Sequence, residues 1–169
     1  IGLGDVKKKL RKQIALTRFA KLRGEVLKKP DVKKPSLHMV FTGNPGTGKT
    51  TVAREYGKML NAMGLLSKGH CVEVTRKDLV AGYIGQSEGK TQEKIEEAKG
   101  GVLFIDEAYA LIVDGSAKDF GKQVVDQIVA EMENNRDDLV VIVAGYTDPM
   151  KKFINSNPGL KRRFVNYVN

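Results

Sequence analysis

The chain has almost nothing from which a disulfide framework or a zinc site could be built. Cys71 is the single cysteine among 169 residues, and His38 and His70 are the only histidines. One thiol excludes a disulfide-stapled scaffold, and two histidines at unrelated positions give no metal-ligand spacing, so structural roles are expected for both. Cys71 lies in the alternation Cys71-Val72-Glu73-Val74 and is expected to be a small buried hydrophobe in a reducing compartment. No run of 18 apolar residues exists, which excludes a membrane-spanning helix. No internal repeat is visible. The expectation is a soluble intracellular protein of the cytoplasm. Because the first residue is Ile1, the segment is expected to come from a longer chain, with any targeting peptide outside it.

What is present is a composition that folds. The apolar share is 41% and the charge is mixed, so residues 1–169 are expected to form one globular domain. The net charge of +9 is local. Residues 7–34 carry 12 Lys and Arg against Glu25 and Asp31, a balance of +10, while the remaining residues carry 17 against 18. Val6, Leu10, Ile14 and Leu22 give the basic segment an apolar stripe, so it reads as an amphipathic helix and linker with a solvated lysine face. An acidic partner or nucleic acid is the other reading of that face.

The most specific motif is Gly43-Asn44-Pro45-Gly46-Thr47-Gly48-Lys49-Thr50, which fits G-x-x-x-x-G-K-[ST] at every fixed position. Its glycines let successive backbone N–H groups turn inward around a di- or triphosphate. Lys49 supplies a point charge to the β- and γ-phosphates, and Thr50 offers a hydroxyl to Mg²⁺. Leu37–Thr42 reads as a buried strand before the loop, and Thr51–Leu60 as a helix after it. Strand, glycine loop and helix N-terminus together form an anion site, since orphan amides and the helix dipole converge there. Gly89-Lys90-Thr91 echoes the motif, but Ile84 stands where its earlier glycine would be.

Helix and strand patterns alternate along the chain, which predicts an α/β sandwich around a mostly parallel sheet. Strands are expected at 71–74, 102–105, 139–144 and 164–168. Helices are expected from Ser87, as cap, to about Lys99, then over 124–134 and 150–154. Gly100-Gly101 serves as a helix stop. Leu139–Ala144 is the most hydrophobic stretch and is predicted to be a central strand. The strand ending at Ile105 runs into Asp106-Glu107. At the carboxyl edge of a parallel strand these acids would face the phosphate loop. Asp106 would hold Mg²⁺ through water with Thr50, and Glu107 would orient and deprotonate the attacking water. A glutamate beside the metal aspartate favours a hydrolase over a kinase, which has to exclude water.

Thr42–Thr51, Val102–Tyr109, Leu139–Tyr146 and Asn157–Leu160 together resemble the AAA+ ATPases. The similarity is closest to the CbxX/CfqX branch, which includes red-type rubisco activases and related sporulation and secretion ATPases. This resemblance covers essentially the whole chain. It implies the large three-layer α/β/α P-loop NTPase subdomain, with a five-stranded parallel sheet of order 5-1-4-3-2 and ATP with Mg²⁺ as cofactors. It assigns ATP binding to Asn44, Pro45, Gly46, Thr47, Gly48, Lys49, Thr50 and Thr51, and adenine contact to Ile1 and Gly2. It implies a sensing role for Thr147, where many relatives carry Asn, and a between-subunit arginine finger at Arg163. It also implies client contact by Tyr83 and Ile84 in Gly82-Tyr83-Ile84-Gly85, with 114–119 as a second pore-facing loop. A helical lid would follow Asn169. The implied protein is a homo-oligomeric ring, usually a hexamer, that remodels a protein client without a membrane or nucleic acid. Two alternatives stay open: a nucleic-acid-handling ATPase, supported by the basic first helix, and a nucleotide-gated scaffold with little turnover. Nucleic-acid-stimulated hydrolysis with a steep salt slope separates the first, and absence of turnover the second.

Overall fold

A computed structural model describes residues 36–44, 48–81, 86–112 and 120–169. Of the segment before them it describes only residues 8, 11, 12, 15 and 16, which are helical and exposed. The elements in order are β1 (Met39–Thr42), α1 (Lys49–Ala62), β2 (Cys71–Val74), α2 (Arg76–Leu79), α3 (Gln86–Ala98), β3 (Val102–Asp106), a 3₁₀ turn (Ala108–Leu111), α4 (Phe120–Asn134), β4 (Val140–Gly145), α5 (Thr147–Asn155), α6 (Pro158–Arg163) and β5 (Asn166–Val168). The five strands are parallel and ordered β2-β3-β4-β1-β5, which is 5-1-4-3-2 from the other edge.

β4 is buried at all six positions, as its unbroken apolar run requires of a strand covered on both faces. Alternation along the strands sorts the core into two layers. Val40, Leu103, Ile105, Val141 and Val143 pack against α3, α4, α5 and α6. Met39, Phe41, Val102, Phe104, Val140, Ile142 and Ala144 face α1 through its buried stripe Val52, Ala53, Tyr56 and Leu60. Gly57 belongs to that stripe because a Cβ there would come within 2.7 Å of the Gly69 carbonyl oxygen. The parallel ladders level the strand ends: Thr42 lies opposite Gly145, and Asp106 opposite Ala144. β1 and β3 therefore deliver their last residues to one edge on either side of β4.

Several boundaries and roles differ from the pattern. Leu37 and His38 precede β1, because the His38 Nδ1 accepts the Val141 N–H at 2.9 Å where a longer strand would offer a carbonyl. Ser87 lies inside α3 and caps nothing of its own helix; its hydroxyl accepts the Ala81 N–H at 2.8 Å. The helix expected over 150–154 starts earlier, at Thr147, and runs to Asn155. α2 and α6, of four and six residues, carry too few turns to show periodicity. Cys71 is half-buried on edge strand β2, and burial together with Glu73 pushes its thiol up to about 11.

Candidate active site

The carboxyl edge of the sheet gathers the sequence motifs. Gly43, with φ 135°, turns the chain out of β1, and its N–H donates to the Gly145 carbonyl at 3.1 Å. The loop is thus pinned to the end of β4 before it reaches α1. Gly48, with φ 80°, occupies the N-cap of α1, and no side chain caps that end. No acidic residue lies in its first turn either. By contrast, α6 is capped in the usual way, with Asn157 Oδ1 accepting from the Gly159 and Leu160 amides. A 14-residue helix that keeps a left-handed glycine cap and no side-chain cap has its first amides directed at whatever anion sits in the loop.

Lys49 is half-buried at the start of α1, and its ammonium donates to the Gly43 carbonyl at 2.6 Å, back toward the end of β1. Burial lowers its pKa, and Asp106 opposes that shift across the edge. Thr50, half-buried, is the next residue of the same turn. Asp106, exposed at the end of β3, accepts the Glu107 N–H on Oδ1 at 3.0 Å. Among the described residues no cluster of three or more His, Cys, Asp and Glu could hold a metal by itself. A hydroxyl and one carboxylate fit Mg²⁺, which keeps water and takes its remaining ligands from substrate phosphates.

Glu107 is exposed, with φ 51° and ψ 45°, the one non-glycine residue with positive φ among those described. It begins the 3₁₀ turn, whose first bond runs from the Ala110 N–H to the Glu107 carbonyl at 2.9 Å. Tyr109 from that turn leans over the end of β4: a Cβ on Gly145 would meet its ring at 3.0 Å. Burial raises the Tyr109 pKa, and Glu107, Tyr146 and Asp106 raise it further, so its phenol stays protonated beside the acids. Thr147 is half-buried at the first position of α5, two residues past Gly145. It thus stands between the loop strand and the Asp106 strand.

Arg163 lies at the end of α6, away from this cluster along the chain. Its Nη2 pairs with Glu133 at 3.1 Å and its Nη1 donates to the Gly159 carbonyl at 3.3 Å, both within the subunit. Asn44 and Thr51 are exposed at the loop and on α1. Ile1, Gly2, Pro45, Gly46, Thr47, Tyr83, Ile84, the 114–119 loop and the stripe residues Val6, Leu10, Ile14 and Leu22 lie outside the described residues. Sequence reasoning missed Tyr109 as a lid on Gly145, the left-handed Glu107 and the role of Arg76. Arg76 Nη1 donates to the Ala110 carbonyl at 2.8 Å and the Leu111 carbonyl at 3.1 Å. Its partners are backbone groups distant in sequence, for which no motif exists.

Comparison with known proteins places these features. Residues 39–168 match the profile of the ATPase family associated with various cellular activities (AAA). The chain is 49% identical over 168 residues to Protein CbxX, chromosomal, of Cupriavidus necator, covering 99% of this chain and 52% of that protein. It is 48% identical over 168 residues to Protein CbbX of Cereibacter sphaeroides, covering 99% and 54%. It is also 48% identical over 169 residues to the chloroplastic ribulose bisphosphate carboxylase/oxygenase activase of Cyanidioschyzon merolae, covering 100% and 57%. The chain spans about half the length of these relatives. No helix among the described residues is long and apolar enough to cross a membrane.

Proposed function

Because the chain belongs to the AAA family of ATPases, we propose that it binds ATP with Mg²⁺ in the 43–51 loop and hydrolyses it. The observation that carries this reading is the pairing of an uncapped α1 N-terminus with Asp106 and Glu107 across the sheet edge. Lys49 exchanges its Gly43 carbonyl for β- and γ-phosphate oxygens, a stronger charge-assisted contact. Thr50 and Asp106 hold the cation, which when bound neutralises charge on the phosphates. Glu107 orients and deprotonates the attacking water. Thr147 contacts the γ-phosphate or that water from the end of β4, and Ile1 and Gly2 meet the adenine.

Subunits assemble into a ring in which Arg163 reaches a neighbour's γ-phosphate. Its pairing with Glu133, an exposed carboxylate, is weak and exchangeable, while its planar fork suits phosphate. Tyr83 and Ile84 grip a protein client, and ATP turnover remodels it. The name of the Cyanidioschyzon relative makes rubisco the first client to try. A helical lid after residue 169 completes the site. The basic segment 7–34, with its +10 balance, keeps a nucleic-acid-handling ATPase as the second reading.

The test is ATP turnover against protein concentration for the intact protein and for Glu107→Gln. Cooperative turnover that drops at least about 100-fold in the mutant, with nucleotide affinity retained, is the expected result. Activity strictly linear in concentration rejects catalysis between subunits. An unimpaired mutant rejects Glu107 as base. Stimulation by rubisco, an unrelated unfolded protein and duplex DNA, compared side by side, sorts the clients.

A further inference from the structure

We propose that Arg76 is a positioning residue for hydrolysis: it clamps the 3₁₀ turn behind Glu107 and so holds that carboxylate in its left-handed conformation. The inference rests on the reading of Glu107 as the base. Left-handed backbone at a non-glycine residue persists only where its surroundings over-determine it. At its two ends the turn is closed by the Ala110 N–H to the Glu107 carbonyl and by the Ile112 N–H to the Tyr109 carbonyl at 3.1 Å. The carbonyls of Ala110 and Leu111, at its carboxyl end, are the groups such a turn leaves without partners. Both are taken by one guanidinium nitrogen, Nη1 of Arg76. An arginine side chain is suited to this, because its planar fork is rigid and always charged.

Packing closes the junction from a third side. Gly121 on α4 lies against it so closely that a Cβ would overlap the Leu111 carbonyl and approach Arg76 Nη1 to 2.8 Å. The backbones of α2, the 3₁₀ turn and α4 therefore meet on this one side chain. Arg76 and Glu107 also line the same cleft, of about 520 Å³, with Thr75, Lys77, Val80 and Ala110. A purely structural tie would be felt in stability, affinity and rate alike. A positioning residue is felt in kcat alone.

The experiment compares Arg76→Gln, Arg76→Lys and Glu107→Gln in the intact protein. It measures kcat and KM for MgATP, ADP affinity by calorimetry, thermal midpoint, and amide exchange at Ala110 and Ile112. In Arg76→Gln, kcat is expected to fall about 10-fold, with KM and ADP affinity changed less than about twofold and faster exchange at both amides. Arg76→Lys should lie between Gln and wild type, because a point charge holds one carbonyl better than two. Wild-type kcat in a folded Arg76→Gln, with Glu107→Gln inactive, overturns the inference alone. Parallel losses of kcat, affinity and melting temperature also overturn it. Full turnover in Glu107→Gln removes the reading underneath. If Arg76→Gln does not fold, Arg76→Lys decides: a lower kcat at unchanged KM supports the clamp, and an unchanged kcat overturns it.

Discussion

At the amino edge of the sheet, the backbone turns sharply into β2 and β3 at Gly69 and Gly100, with φ of 84° and 86°. At the carboxyl edge it turns as sharply at Glu107, with φ 51°. The first edge is closed around its turns. The Lys68 and Gly69 amides both donate to the Gly100 carbonyl at 2.8 Å, the Gly100 amide donates to the Asp138 carbonyl at 2.7 Å, and the Asp138 carboxylate takes the Ser67 amide and hydroxyl. Side chains on those glycines would meet Asn61 and Ser67 at 2.5 and 2.7 Å. Among the described residues, the second edge packs Gly145 under Met150 and Tyr109 but leaves room at Gly43 and keeps Glu107 exposed. A Cβ on Gly43 would find nothing among the described residues nearer than Lys49 Cε at 3.7 Å, and Glu107 keeps its carboxylate in the left-handed region. One edge removes side chains to pack; the other tolerates strain to keep a side chain that does chemistry.

The strongest way to break this contrast is at Gly101, where a Cβ would run into the His70 carbonyl oxygen and ring. Gly101→Ala is expected to destabilise by about 3 kcal/mol, since a backbone partner cannot give way. That lowers the melting temperature by about 6–12 °C in a chain of this size. Calorimetry checks it, and a shift under about 2 °C would mean the edge is looser than its geometry.

His38 probes the same edge through pH. Burial, then the neighbouring Arg163, lower its pKa to about 4, against an ordinary value of 6.5. Its neutral Nδ1 accepts the Val141 N–H, and its ring packs against Phe164 at 5.8 Å. The folded pKa is depressed, so the unfolded chain binds the extra proton between pH 6.5 and 4. Stability is therefore complete above about pH 6.5 and falls as the pH drops toward 4, by up to about 3 kcal/mol. Urea midpoints across that window should lose this slope in His38→Asn, which keeps an acceptor but has no ring proton to gain. An unaltered slope in the mutant assigns the acid sensitivity elsewhere.

The smallest effect sharpens the contrast at the carboxyl edge. Glu107→Gly relieves the left-handed strain and is expected to raise stability by about 0.5–1 kcal/mol while abolishing turnover. A thermal midpoint that falls instead would show that the carboxylate stabilises the turn. The Asp106 Oδ1 bond from the Glu107 amide survives either way, because it uses backbone.

Much of this architecture was legible because its signals are local. Six apolar residues in a row could only be β4, buried on two faces. The glycines and Lys49 identified the loop, and Asp106-Glu107 after an apolar run identified the opposing acids. The short α2 and α6 were not legible, since helices of one turn or so have no period to read. Ser87 looked like a cap because its residue type favours one, yet the folded chain brings Ala81 to it first.

Composition and spacing alone determined that this chain folds as a parallel α/β sheet with a phosphate loop and two acids at one edge, because those are statements about neighbours in sequence. Only the tertiary structure decided that Glu107 sits in a left-handed conformation, that Arg76 spans 34 and 35 residues to the turn behind it, and that Arg163 rests on Glu133. Contacts between groups far apart along a chain have no spacing to be read. They exist only once β3 and β4 have brought the carboxyl edge together.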